Sequence, residues 1–370
     1  MKRRTFALLL TTGLAGCGAL SNEGSSATKQ TSVQTNGRTA TTTTQTATPT
    51  KQPTTASSGN QTTTSGTQTP DESMVEVGGV SVHRQQFSLQ EVPFEERPTI
   101  FVNRWMEPYC RIDASKADTL PNLRMATVDG ERGHMPVRTS RSIMKLLFCY
   151  REFEREPYLD KATEISQAYM DIADRSDGAL YFPYTLKKGG AGVTLKPPWY
   201  SALSQGTSLS AYLRLHEATG NEKYRRIADS IYESFKQLKR STDGPWVAMV
   251  DDDNYLWFEE YPHDPPTHVL NGYLTGLWGL YEYWLLTKSD ESRALVEAAT
   301  TTVKHYLEQY RVPGEVSWYA LNQGYRGNAF YHAMHILQLR KLHRITGDSY
   351  FKKMSQTFDT DHPETEGIRK

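Results

Sequence analysis

Two adjacent carboxylates and a phenol, Glu259, Glu260 and Tyr261, follow Trp257 and Phe258 and precede Pro262, Pro265 and Pro266. Glutamates set among aromatic rings belong to a cleft, where burial lifts a carboxyl pKa and suits the group to proton transfer. Neighbouring side chains of an extended segment point to opposite sides, so only one of the pair is expected to face a ligand. Two further clusters offer comparable groups: Trp199, Tyr200 and Gln205 upstream, then Trp318, Tyr319, Arg326, Tyr331 and His332 downstream. His268 and Asn271 lie just after the glutamates.

Several chemistries lack their residues. His332 and His335 are three apart, but the glutamate of a zinc-protease helix is missing, so no metal site is expected. His332 is expected to face the site and His335 to be a hydrogen-bonded core residue. Gly189-Gly190 precedes no phosphate-loop lysine motif, and no serine nucleophile elbow occurs. What remains is carboxylates and phenols without a cofactor. That inventory fits removal and return of a proton next to a carboxylate, as at C5 of a uronic acid, and also glycoside hydrolysis by paired carboxylates. Adjacent glutamates on opposite sides of a strand make a poor hydrolytic pair.

The elements that must hold these groups are helical. From Thr139 onward apolar residues recur at helical spacing in paired segments. The second members start alike, at Pro157-Tyr158-Leu159, Glu222-Lys223-Tyr224, Glu291-Ser292-Arg293 and Asp348-Ser349-Tyr350, two of them after the Thr-Gly turns at Thr219-Gly220 and Thr346-Gly347. A repeat of roughly 60 to 70 residues implies stacked helical hairpins. The first members, beginning near Tyr200, Thr267 and Tyr325, are apolar nearly all round and should be enclosed, whereas the second members are amphipathic. The expected fold is mainly α: an α/α toroid, an incomplete barrel of about four hairpins over residues 139–370. The loops entering the inner helices would gather at one end, where helix N-termini favour an anionic ligand. Strand-like pieces at 179–184 and 246–250 are expected to form a small sheet beside that mouth.

Residues 73–138 read as a small irregular, β-containing region, with strand-like pieces at 75–82 and 99–102. Residues 18–72 are rich in Thr, Ser, Gln and Gly, cannot bury enough surface to fold, and read as a disordered linker. Asn60-Gln61-Thr62 is a glycosylation sequon within it. Residues 1–17 combine Arg3-Arg4, an apolar run and Leu14-Ala15-Gly16-Cys17, as an export signal with a lipoprotein-type processing site does. The expectation is a protein exported and lipid-anchored through Cys17 on the outer face of the cell membrane. Cys110 and Cys149 are left, as a disulfide or as two buried thiols. With 42 basic and 42 acidic residues the chain lacks the positive field that nucleic acid requires, while 21 tyrosines and 7 tryptophans suit carbohydrate faces.

Three of these motifs carry a resemblance. Pro198-Trp199-Tyr200-Ser201-Ala202-Leu203-Ser204-Gln205-Gly206, Trp257-Phe258-Glu259-Glu260-Tyr261-Pro262 with Val269-Leu270-Asn271-Gly272, and Tyr331-His332 through His335-Ile336-Leu337-Gln338-Leu339 resemble the C-terminal domain of the D-glucuronyl C5-epimerases. The resemblance covers roughly residues 140–357, with the motifs in the family's order. It implies conversion of glucuronate to iduronate within a heparosan-type polysaccharide, without a cofactor. By position Glu260 resembles the family's catalytic glutamate, Tyr261 its active-site neighbour, and Tyr319 and Tyr331 the tyrosines of the third motif. The implied mechanism sets Glu260 and Tyr331 on opposite faces of C5, with Tyr319 assisting. Glu259 becomes an outward-facing or structural neighbour, and Trp199, Tyr200, Gln205, Asn271, Arg326 and His332 become candidate substrate contacts.

One position departs from the pattern. The family carries an arginine three residues after the first tyrosine of the third motif, where this chain has Asn322. Enolate-like charge on the substrate carboxylate needs a cation nearby, and Arg326, then His332, are the expected substitutes. A polysaccharide lyase shares the C5 abstraction and is one alternative; a non-catalytic surface glycan-binding protein is another.

Overall fold

The turn between the two helices of each hairpin explains the repeat. The computed structural model describes residues 72–98, 110, 112–239, 244–322 and 325–363. The export signal, Cys17, the Thr-rich stretch to residue 71 and the strand-like piece at 99–102 lie outside them. The described chain opens with antiparallel hairpins, β1 (Glu72–Val77) with β2 (Val80–Gln85) and β3 (Met125–Val128) with β4 (Glu131–His134). A first helix pair follows, α1 (Pro136–Phe153) and α2 (Glu156–Met170). Next come β5 (Asp174–Ser176) with β6 (Ala179–Tyr181), then β7 (Lys188–Gly190) with β8 (Val193–Leu195). The second helix pair is α3 (Ala202–Thr219) and α4 (Glu222–Glu233). After β9 (Ala248–Val250) and β10 (Leu256–Phe258) come α5 (Leu270–Thr287) with α6 (Asp290–Tyr306), then α7 (Ala329–Thr346) with α8 (Ser349–Asp361).

All four first helices end on a left-handed residue: Glu154, Gly220, Lys288 and Gly347. A left-handed residue at this place lets the last carbonyls be capped and turns the chain back. In the last three hairpins the next residue caps the following helix, with Asn221, Ser289 and Asp348 accepting from Lys223 N, Ser292 N and Tyr350 N. Stop and start signals thus occupy consecutive positions. That is why Thr-Gly turns precede two of the second helices.

Burial separates the inner helices α3 and α5 from the outer α4, but the outer α6, expected to be amphipathic, is buried from Ala294 to Val303 because β2 packs on its outer face. On α5 every residue from Leu270 to Trp284 is buried, and α3 is buried from Ala202 to Leu215. On α4 burial falls on Tyr224, Ile227, Ala228, Ile231 and Tyr232, one stripe at helical spacing. The axes of α3 and α5 approach until backbones touch: a Cβ on Gly279 would lie 2.4 Å from the Gly206 carbonyl oxygen. A fully buried ion pair, Arg214 to Glu282 at 2.7 and 2.9 Å, spans the same two helices. The end helices α1 and α7 bury only one wide face each. The result is an α/α toroid left open between its first and last hairpins.

The N-terminal strands are fastened to this ring. Arg84 on β2 pairs with the buried Glu297 of α6 at 2.8 Å, and the Gln85 amide donates to Thr301. A Cys110–Cys149 disulfide ties the preceding loop to α1, which decides between the two states left open for these cysteines. The single sheet expected beside the mouth is not formed. Residues 179–181 and 248–250 each pair with their own sequence neighbour, and Tyr184 bridges to Trp199. Among the described residues no helix is long and apolar enough to cross a membrane.

Candidate active site

Backbone hydrogen bonds stitch the mouths of successive repeats together. The carbonyl of Glu259 accepts from Ala202 N at the start of α3, and the carbonyl of Tyr319 accepts from Leu270 N at the start of α5. The segment after β10 is therefore held between the second and fourth hairpins. Its alternation separates the two glutamates. Glu259 turns into the fold, fully buried, and accepts from Thr267 N, Thr267 Oγ1, His268 N and His268 Nδ1. It is a structural residue that fixes the loop entering α5, and it does not face outward.

Glu260 turns the other way, into a cavity of about 180 Å³. Its Oε2 accepts from Asn271 Nδ2 and from the Tyr319 hydroxyl, both at 3.3 Å. The carboxylate lies over the first turn of α5, where a Cβ on Gly272 would sit 2.3 Å from Oε2; only glycine admits it. Burial pushes the Glu260 carboxyl up to about 7, against the opposing pull of Tyr261, Lys188, Tyr319 and Asn271. A carboxyl tuned to this range exchanges protons at neutral pH.

The phenols are tuned the other way. Burial, then the charge of Glu260, pushes the Tyr261 and Tyr319 hydroxyls far above the ordinary phenol range, and Tyr331 also rises. These three groups stay protonated and can act as acids. Tyr331 lies edge-on to Tyr319 with ring centroids 4.6 Å apart, held at the start of α7 by Asn328, which accepts from Tyr331 N. Trp199 stacks on Tyr184 at 3.9 Å and lines the cavity together with Glu260, Tyr261, Asn271 and Tyr331.

Other sequence candidates fall elsewhere. Gln205 is fully buried and bonds Phe182 N, Leu180 O and Ser234 Oγ, so its role is to join α3 to β6 and α4. Tyr200 donates to Asp174 outside the cavity. His332 does not face the mouth: its Nδ1 accepts from Ser317 N and its Nε2 lies 2.9 Å from the Phe358 carbonyl, which fastens the third motif to α8. Burial holds its pKa below the usual histidine value. His335 is a core residue bonded to Ser317 Oγ. Arg326 pairs with Glu315 and lies over the Trp318 ring, away from the cavity.

Sequence reasoning missed Lys188 and Arg141 and gave Ser201 no role, and all three line the cavity. Ser201 stands inside a quoted motif. Lys188 belongs to the hairpin Lys188-Gly189-Gly190-Ala191-Gly192-Val193, whose glycines signal a turn rather than a phosphate loop. Two buried polar atoms of lining residues, Ser201 Oγ and Asn271 Oδ1, have no hydrogen-bond partner among the described residues, and a hydroxyl-rich ligand would supply one.

A carboxylate with a pKa near neutrality, surrounded by protonated phenols at the mouth of a helical toroid, is equipped for general acid–base proton transfer. The chain belongs to the D-glucuronyl C5-epimerase C-terminus family, whose model matches residues 173–360. The match begins after the first helix pair, so Glu260, Tyr261, Tyr319 and Tyr331 lie within it and Arg141 lies before it. An uncharacterized protein of Methanocaldococcus jannaschii is 30% identical over 216 residues, 54% of this chain and 66% of that one. The D-glucuronyl C5-epimerase of Caenorhabditis elegans is 30% identical over 179 residues, 44% of this chain and 28% of that protein. Each match thus spans less than two thirds of the relative. A crystal structure of unsaturated glucuronyl hydrolase from Streptococcus agalactiae is similar at 15% identity and a TM-score of 0.41, over 63% of this chain and 58% of that one. That likeness is too distant to bear on activity.

Proposed function

We propose that the chain is a polysaccharide uronate C5-epimerase that works without a cofactor, with Glu260 as the proton-transferring carboxylate. The observation that carries the reading is the burial of Glu260 in a cavity with its pKa near 7, bonded by Tyr319 and ringed by phenols that stay protonated. In the forward step Glu260 removes the C5 proton, and the C5–H electron pair passes into the C6 carboxylate as an enediolate. Tyr331 gives its hydroxyl proton to C5 from the other face. Tyr319, bonded to Glu260 and in contact with Tyr331, can return the proton from glutamic acid to phenolate and reset the site. Abstraction by a carboxylate of this pKa suits neutral pH better than abstraction by a phenolate, because burial and Glu260 both oppose ionisation of the phenols.

Membership of the D-glucuronyl C5-epimerase C-terminus family supports a uronate substrate, and heparosan is the first polymer to test. Export and lipid anchoring at Cys17 belong to the same proposal and rest on the N-terminal sequence. The test is incubation with heparosan, chondroitin and a polyglucuronate in heavy water. Deuterium entering C5 with chain length unchanged is the expected result. An ultraviolet-absorbing unsaturated end would mean a lyase, and binding with no exchange would mean a glycan-binding protein.

A further inference from the structure

The reaction proposed above needs positive charge beside the substrate carboxylate, and neither Arg326 nor His332 reaches the cavity. Asn322, which stands where the resemblance expects an arginine, does something else. Its Nδ2 donates to the carbonyl of Ala191, in the two-residue turn between β7 and β8. Ala191 and Gly192 have φ of 51° and 79°, the left-handed pair that a tight hairpin of this kind demands. Alanine is strained in that region, so a hydrogen bond onto its carbonyl helps to fix the turn.

The body of the hairpin is seated on an active-site ring. A Cβ on Gly190 would lie 2.1 Å from Cζ of Tyr261, so β7 lies flat against the phenol only because glycine is there. Clasped at its tip and seated on Tyr261, β7 brings Lys188 to the wall of the cavity that also holds Glu260 and Tyr331. Lys188 forms no ion pair among the described residues.

We infer that Lys188 supplies the positive charge that binds the uronate carboxylate and stabilises its enediolate, and that Asn322 is the positioning residue for the Lys188 hairpin. The charge expected from the third motif is thereby delivered from β7, a strand that Asn322 of the third motif holds in place. Lys188 keeps its proton throughout; its ammonium meets the oxygens on which the C5 electron pair accumulates. The inference rests on the uronate reading of the site.

Charge couples Lys188 and Glu260 to each other. Burial lowers the Lys188 pKa, while the charge of Glu260 raises it and Arg138 lowers it. Lys188 in turn pulls Glu260 down, alongside Tyr261, Tyr319 and Asn271, the polar groups that face the carboxylate. Arg141 also lines the cavity, from α1, and burial, then the charge of Arg138, lowers its pKa. Removing Lys188 therefore has a sign: Glu260 loses a neighbouring cation, its pKa rises, and the acid limb of the rate profile moves to higher pH.

The full chain is assayed as wild type, Lys188→Met, Lys188→Gln, Lys188→Arg and Asn322→Ala, by C5 deuterium exchange on heparosan, chondroitin and a polyglucuronate across pH, with melting curves as a check on folding. Folded Lys188→Met or Lys188→Gln should lose about a hundredfold or more in kcat, with the acid limb moved up, and Lys188→Arg should keep within about tenfold of wild type. Asn322→Ala should lose roughly tenfold in kcat, with the acid limb, set by Glu260, moved upward by less than in the neutral Lys188 variants. Wild-type exchange with both neutral Lys188 variants within about threefold of it, and no movement of the limb, overturns the inference and leaves the epimerase reading intact. A wild type that exchanges on none of the three polymers overturns the epimerase reading, and this inference falls with it.

Discussion

The Tyr319 hydroxyl donates to Glu260 Oε2 across 3.3 Å, although 59 residues separate the two in the chain. Backbone pairing makes the contact possible: Val269 bridges Ala320, and Leu270 N donates to the Tyr319 carbonyl, so the third motif enters beside the loop that follows Glu260. Tyr319→Phe should therefore lower C5 exchange by about ten- to a hundredfold. Because this bond holds the Glu260 pKa down, its loss should also move the acid limb upward. A rate change without movement of the limb would contradict the assigned bond.

The Glu260 pKa near 7 fixes a pH dependence of rate and of stability, with opposite signs. The rate should fall as pH drops through about 7, because the carboxylate is the proton acceptor. Stability runs the other way. The folded pKa lies above the unfolded value of about 4.3, so ionisation between that value and about 7 favours the unfolded chain, by on the order of 3 kcal/mol in full. Glu260→Gln should thus gain stability over wild type as pH rises through this window and hold the gain above it. Denaturant titrations of both proteins between pH 5 and 8 test the point; a difference that does not vary with pH would count against a buried, shifted Glu260.

The Arg214–Glu282 pair crosses the contact between α3 and α5 with no exposure on the glutamate side. Removing one partner leaves the other charge buried. Arg214→Met should destabilise by about 3–5 kcal/mol, and Arg214→Met with Glu282→Leu together by much less. A chemical-denaturation cycle of the two single variants and the double variant checks this.

Glu154 closes the first hairpin in a left-handed conformation that glycine occupies at Gly220 and Gly347. Its side chain is exposed. Glu154→Gly should raise stability by about 0.5–1 kcal/mol, seen as a higher Tm. A loss instead would show that the glutamate side chain contributes more than its backbone costs.

Gln205 offers a control for the site assignment. Its carboxamide bonds three neighbours inside the ring, so Gln205→Ala should lower Tm while KM for a uronate polymer stays within about twofold of wild type. A large change in KM at unchanged Tm would return Gln205 to the substrate contacts.

The helical hairpins were legible because they are marked locally: apolar residues at helical spacing in all four, polar caps in the last three, and Thr-Gly stops in two. Enclosure of α5 was legible for the same reason, since Leu270 to Trp284 offers no polar face to water. The side of the chain taken by a given residue was less so. Alternation predicted that Glu259 and Glu260 part company, but only the four hydrogen bonds from Thr267 and His268 show that Glu259 is an internal brace. His332 and Gln205 sit in motifs at the mouth, yet each is satisfied by groups far along the chain, His332 by Phe358 on α8 and Gln205 by Ser234 at the end of α4, that no local pattern reveals. Lys188 was invisible for a related reason. Nothing in Lys187-Lys188-Gly189-Gly190 says which lysine turns inward; the seat of Gly190 on Tyr261 decides it.

The central claim is that Glu260 moves the C5 proton of a polymer-bound uronate. The most direct test is C5 deuterium incorporation from heavy water into heparosan, chondroitin and a polyglucuronate, with wild type and Glu260→Gln side by side and polymer binding measured by calorimetry. Exchange by wild type on one of these polymers, lost by about a thousandfold or more in Glu260→Gln with binding retained, is the predicted result. Equal exchange by the two proteins, or none by wild type on any uronate polymer, would contradict it.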